Sequence, residues 1–199
     1  MTKFGLTITF IVLLLISSVA HAFDFTADVV SEARGQQVNG KIYVAGNKVR
    51  MDMAGSASIT RMDKGVAWVL MPQQLLYVEQ PIDLEKVAGA TEKMPGEVER
   101  TSLGPDMVSG RKATKYRIVY SAPAGQASVI QWVDDESKIP VKTAAEDGSW
   151  MMEYRNLKVG PQDASVFEVP PGYKKFSLPN MADMMRATQQ QMKARSEHE

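Results

Sequence analysis

Apolar and polar positions alternate along most of this chain, and turn residues interrupt the alternation at short intervals. A period of two marks strands covered on one side, and frequent turns favour an antiparallel meander. Phe25–Glu32 reads as the first strand. Gly40–Ala45 and Lys48–Ala54 flank Gly46-Asn47, a two-residue hairpin signal. In the second of these, Val49, Met51 and Met53 face one way and Lys48, Arg50 and Asp52 the other. Ala57–Met62 follows and turns at Asp63-Lys64-Gly65. Val66–Met71 is apolar at every position, which predicts a strand covered on both faces, with Leu75–Glu79 as its partner after Pro72.

Residues 81–96 break the pattern; a short helix over Pro81–Val87 and an exposed loop both fit. Strand signals resume at Glu97–Leu103 and strengthen at Arg111–Tyr120, where Tyr116, Ile118 and Tyr120 share a face opposite Lys115 and Arg117. Turns at Pro123-Ala124-Gly125, Asp134–Lys138 and Asp147-Gly148 lead into Gln126–Val133, Pro140–Ala145 and Ser149–Val159. In the last of these Trp150, Met152 and Tyr154 share a face. Val166-Phe167-Glu168-Val169 then runs into Pro170-Pro171-Gly172-Tyr173.

The tail changes period. Asn180 can cap a helix with Asp183 in its first turn, and Met181, Met184, Met185, Thr188 and Met192 fall on one side of it. The fold predicted is mainly β (α+β): a single antiparallel sheet over residues 23–178, followed by an amphipathic helix and tail over 179–199.

The opening segment has a different pattern again. Lys3, the apolar run Phe10–Ile16 and Ala20-His21-Ala22 read as a secretory signal over residues 1–22, cleaved after Ala22. Removing 22 of 199 residues leaves 177; Lys3 goes with them, so 22 basic side chains face 23 acidic ones and the net charge is near −1. That length suits one domain with a sizeable core. Near-neutrality gives no electrostatic footprint for nucleic acid, and no stretch after the signal is long and apolar enough to span a membrane.

Missing residue types narrow the chemistry. With no cysteine there is no disulfide, no thiolate nucleophile, no Cys-ligated metal and no lipid anchored at a cleavage-site cysteine. Of two histidines, His21 leaves with the signal and His198 is second from the end. Ser-His-Asp catalysis and the usual zinc triads go with them. No phosphate-loop or nucleophile-elbow motif occurs, and no N-x-[ST] sequon, which favours a bacterial periplasm. An exported, soluble, non-enzymatic protein without a cofactor is expected.

Several stretches, in order, resemble the periplasmic lipoprotein-carrier family, LolA and its relatives. They are Gly40–Val44, then Asp63-Lys64-Gly65-Val66-Ala67-Trp68 through Pro72, then Tyr77–Gln80, the Asp134–Pro140 hairpin, and Gln162–Gly172 with its Phe167 and Pro170-Pro171-Gly172. Gly110–Tyr116 is similar to the core of an uncharacterised secreted subfamily. The resemblance covers most of residues 25–175. It implies a strongly curved sheet, an open and incomplete β-barrel whose hollow holds acyl chains or other hydrophobic ligands. Two departures stand out. Phe23 leads almost directly into a strand where carriers begin with an amphipathic helix, and Gly46-Asn47 stands near the place of the Arg-Pro whose arginine latches the lid.

Against that background the aromatic residues Tyr43, Trp68, Tyr116, Trp132, Trp150 and Tyr154 have two readings: ordinary cross-strand packing, or in part the lining of a cavity. The candidate cavity set is Tyr43, Trp68, Leu70, Tyr116, Ile118, Trp132, Trp150 and Met152. Met181, Met184, Met185 and Met192 form a candidate lid; membrane-surface and partner-binding roles are the alternatives for that helix. Thioethers bind Cu(I), but Met at helical spacing is far more often a deformable apolar surface. Asp134-Asp135-Glu136 suits a solvated turn better than a metal or acid–base pair. Arg111, Lys112, Lys115 and Arg117 form a basic strand edge, solvated or facing an anionic headgroup. The functional expectation is a periplasmic binder of lipid or another hydrophobic molecule that carries it toward the outer membrane. The alternative is an interaction or envelope-sensor module of the same fold, its cavity closed, with an outer-membrane or envelope protein as partner.

Overall fold

The computed structural model describes residues 24–82, 93–94, 96–122 and 125–176. The segment read as a signal, most of residues 81–96 and the tail predicted to be a helix, with Met181, Met184, Met185 and Met192, lie outside the described residues.

Twelve strands form one sheet. In chain order they are β1 (Phe25–Ala33), β2 (Gln36–Ala45), β3 (Lys48–Met53), β4 (Ser56–Arg61), β5 (Val66–Met71), β6 (Leu76–Pro81), β7 (Glu97–Val108), β8 (Arg111–Ala122), β9 (Gly125–Asp134), β10 (Pro140–Ala145), β11 (Trp150–Val159) and β12 (Lys174–Lys175). Their spatial order is β12-β6-β5-β4-β3-β2-β1-β11-β10-β9-β8-β7. Two consecutive meanders, β1–β6 and β7–β11, are thus joined where β1 pairs antiparallel with β11. All pairings are antiparallel except the two-residue β12, which runs parallel to β6. Gly46, at φ 57, closes the β2–β3 hairpin, and its N–H donates to Asp24 Oδ1 at 2.9 Å.

The sheet is curved and open. Ser109, in the turn between β7 and β8, donates from Oγ to Glu153 Oε1 on β11 at 2.6 Å. Two strands, β9 and β10, lie between β8 and β11 in the hydrogen-bonded order, so the two are three spacings apart, about 14 Å in a flat sheet at ~4.8 Å per strand. Only a strong curl brings them together. Its ends, β7 and β12, do not pair with each other. The mainly β, incomplete-barrel architecture read from the sequence is therefore the observed one.

Register sorts the side chains onto two faces. Phe25, Ala27 and Val29 of β1 lie beside Val44, Ile42 and Gly40 of β2, and these beside Val49, Met51 and Met53 of β3. We call this face A and the opposite one face B. Gly40 is required here, since a Cβ would collide with the Asp52 carbonyl and the Met53 sulfur. A first core gathers Phe25, Ala27, Val29, Ile42 and Val44 with Ile139 and Val141 from the other meander. A second gathers Ala57, Ile59, Trp68 and Leu70 on face B of β4 and β5, under Phe167.

Phe167 belongs to a strap, residues 160–173, that leaves β11 and crosses face B of the first meander. A 3-10 turn at Ala164–Phe167 opens on Asp163, whose carboxylate accepts from Ser165 N at 2.8 Å. The chain then runs on to β12, where Lys174 N and Phe176 N donate to the carbonyls of Leu75 and Tyr77.

Two expectations need correcting. Val66–Met71 is not sealed on both faces: Trp68 and Leu70 are buried under the strap, whereas on face A Ala67 and Met71 are half-buried and Val69 is exposed. β8, with Arg111, Lys112, Lys115 and Arg117, is not an edge, because β7 flanks it. Its Arg111 and Arg117 are bound to Asp134 and Glu146.

Candidate functional site

The strap divides the uses of the sheet. Face B of β4 and β5 is closed by apolar contact and by two arginines. Arg50 Nη1 donates to Val166 O at 3.1 Å. Arg61, 5% exposed, donates to Phe167 O at 3.3 Å and to the carboxylates of Glu168 and Asp63. Burial opposes the ionisation of both acids, but Arg61 outweighs it, holding Asp63 down to about 2 and lowering Glu168. Lys64 completes the clamp on Glu168 at 3.1 Å.

Face A has no strap among the described residues. Pairing carries it from Val78 on β6 to Val69, Ser58 and Met51, then across β2 and β1 to Met152 and Trp150 on β11. It continues through Thr143 and Gln131 to Tyr116 on β8, with Ile118 beside Val129. Its apolar side chains are deeply buried in places (Ile118, Val129) and open in others: Val69 and Trp150 are 37% and Val38 39% exposed. Face A is thus apolar in stretches, buried at Ala27, Val29 and Ile42 and open at Val38, Val69 and Trp150.

One polar group interrupts it at the outer strands. Arg100 Nε and Nη2 each meet a carboxylate oxygen of Glu97 at 2.8 Å, and Nη2 reaches Gln131 Oε1 at 3.3 Å. The guanidinium lies 4.9 Å over the Tyr116 ring, and Met94 N donates to Glu97 Oε2 at 3.0 Å. Arg100 holds the Glu97 carboxyl below its usual range against the opposing effect of burial. Side-chain exposures of 16% and 11% make this a nearly buried ion pair. Positions three apart in a regular strand face opposite ways; the register shift between Glu97 and Glu99 turns both inward. No sequence pattern signals that shift, so Arg100 and Glu97 escape a reading by alternation.

The eight cavity candidates do not converge. Tyr43, Trp68 and Leu70 meet in the strapped core on face B, with Trp68 Nε1 donating to Glu79 at 3.0 Å. Tyr116, Ile118, Trp150 and Met152 share face A. Trp132 stands on face B, opposite Lys115, with its ring near the ammonium groups of Lys115 and Lys142 and its N–H on Asp106 at 2.8 Å.

Asp134, Asp135 and Glu136 line, with Gly110, Arg111 and Lys112, a shallow polar depression of about 410 Å³. Asp134 is fully engaged there, accepting from Arg111 at 2.7 and 3.0 Å and from Ser137 N and Oγ. Burial pushes its carboxyl up, but Arg111 and Ser137 prevail and hold it at about 2. No group of three or more His, Cys, Asp or Glu among the described residues is arranged to hold a metal ion, and no described helix is long and apolar enough to cross a membrane.

No family model and no curated protein matches this chain. Among solved structures it is similar to MucB (TM-score 0.50, 13% identity, covering 75% of this chain and 58% of that one). It is similar also to the complex structure of Pseudomonas aeruginosa MucA/MucB (TM-score 0.50, 13% identity, 78% and 58%). A domain of the outer membrane lipoprotein-sorting kind from Vibrio parahaemolyticus aligns at TM-score 0.36 and 9% identity over 74% and 90%. At these identities the MucB likeness shows the fold alone, and this chain spans 58% of the MucB length.

Proposed function

We propose that this chain is an exported, non-enzymatic binding protein of the bacterial envelope, and that face A holds the apolar part of a lipid or other hydrophobic molecule. The observation that carries the reading is the asymmetry of β5. Trp68 and Leu70 on one side are sealed by the strap, while Val69 on the other stays exposed on an apolar face running to Trp150. Apolar side chains left exposed on a curved sheet suit ligand burial. The secretory signal read at residues 1–22 and the resemblance to lipoprotein carriers agree with this role and with a periplasmic site of action.

Native mass spectrometry of the protein purified from a periplasmic extract, followed by solvent extraction and lipid analysis, tests the proposal. A bound mass lost on extraction is expected. A bare polypeptide that also takes up no apolar dye would overturn it. The MucA/MucB complex favours a second reading, a protein-interaction module on the same fold. One stoichiometric envelope protein recovered with a lipid-free chain would support that reading instead.

A further inference from the structure

The proposed ligand face carries a nearly buried ion pair, and its charge state says what kind of molecule fits. We propose that the Glu97–Arg100–Gln131 cluster receives a neutral, hydroxyl-bearing head, so that the ligand is an uncharged hydroxylated amphiphile rather than a free fatty acid. This rests on face A being the ligand site.

A nearly buried ion pair is costly to desolvate and is weak evidence for stability, so its place on an apolar face calls for another explanation. A ligand carboxylate would seek the forked donors of an arginine. Here Nε and Nη2 of Arg100 already hold both oxygens of Glu97 at 2.8 Å. The ionised Glu97 would also repel a second anion at this spot. Arg100 Nη1 is buried, so what the cluster can offer a ligand is acceptor capacity. Glu97 Oε1 accepts from Arg100 Nε, and Oε2 from Arg100 Nη2 and Met94 N, whereas a carboxylate offers about four acceptor sites. Hydroxyl groups donate to such oxygens without bringing charge. The Tyr116 ring beneath Arg100 and the buried Ile118 one pairing step along β8 place apolar surface beside the head.

The test is displacement of the neutral dye Nile red from the full chain by a monoacylglycerol and by the fatty acid of equal chain length at neutral pH. The monoacylglycerol is expected to displace the dye at about tenfold lower concentration, and Glu97→Gln to bring the two within about threefold by admitting the acid. Equal displacement by the unmodified protein, or preference for the acid, overturns the inference whether or not the variant folds. Dye that never binds, with no lipid in the native mass spectrum, removes the underlying ligand face as well. Dye that binds without head-group preference removes only the inference.

Discussion

The two cores of this sheet are closed in different ways. Around β1 and β2 the sheet covers itself: its curl brings Ile139 and Val141 of the second meander onto Phe25, Val29 and Ile42 of the first. On β4 and β5 an added segment does the work, as Phe167 and the arginine-held strap seal Ile59, Trp68 and Leu70 on the opposite face. Curl leaves neighbouring parts of the same face open, because its cover reaches only where strands approach. A strap seals a chosen patch and nothing else. The difference explains how face B of β5 can be closed beneath residues 164–173 while Val69 on its face A stays exposed.

Phe167→Ala tests that division most severely. Emptying the site of a fully buried phenylalanine should cost about 3–5 kcal/mol in urea unfolding. If the two cores are closed independently, Ser109–Glu153 and the contacts around Phe25 should keep their amide protection while β4 and β5 lose theirs. Loss of protection everywhere at once would break the comparison.

Acid probes the self-covered part. The Asp134 carboxyl sits at about 2 when folded, against 3.8 for the ordinary group, so its contribution is complete above about pH 5 and fades as pH falls toward 2. The shift corresponds to about 2 kcal/mol, and Asp134→Asn should lose that amount at neutral pH and flatten the acid limb of the stability curve. An unchanged limb would show that the Arg111 pair is not what the low pKa reports.

Arg61→Met keeps the volume beside Phe167 but removes the donor to its carbonyl. Because Glu168 and Asp63 are part-exposed and regain water, a loss of about 1–2 kcal/mol is expected, smaller than that for Phe167. The gentlest test is Val69→Ser. Thermal unfolding should register less than about 0.5 kcal/mol for this exposed position, while apolar-dye uptake falls at least about twofold. A large stability loss would mean that face A is core and no binding surface.

Most strand limits were legible in the sequence because alternation, Gly46-Asn47 and the Asp134–Lys138 and Asp147-Gly148 turns act locally. Which face a strand presents is a different matter. Tyr116 pairs with Gln131 and not with Trp132, so two aromatic rows that look equivalent stand on opposite sides. That relation is set by register between strands and by the shifts at Glu97/Glu99 and Pro140/Lys142, none of which alternation encodes. The apolar run Val66–Met71 signalled unusual cover, but only the long-range return of Phe167 tells which side receives it. Arg61 and Arg50 likewise find their partners more than a hundred residues away.

The pairing of β1 with β11 also has a consequence in time. Phe25 and Val159 sit side by side, as do Ala33 and Trp150, so the middle of the sheet joins residues from almost opposite ends of the described chain. Hairpins such as β2–β3 or β7–β8 can form as soon as they are synthesised, but the seam between the meanders must await residue 159 and pay the large loop-closure entropy of such a distant contact. A nascent chain stopped short of β11 would have two hairpin arrays and no finished sheet. Late closure of this kind keeps the two hairpin arrays pliable until β11 has been made.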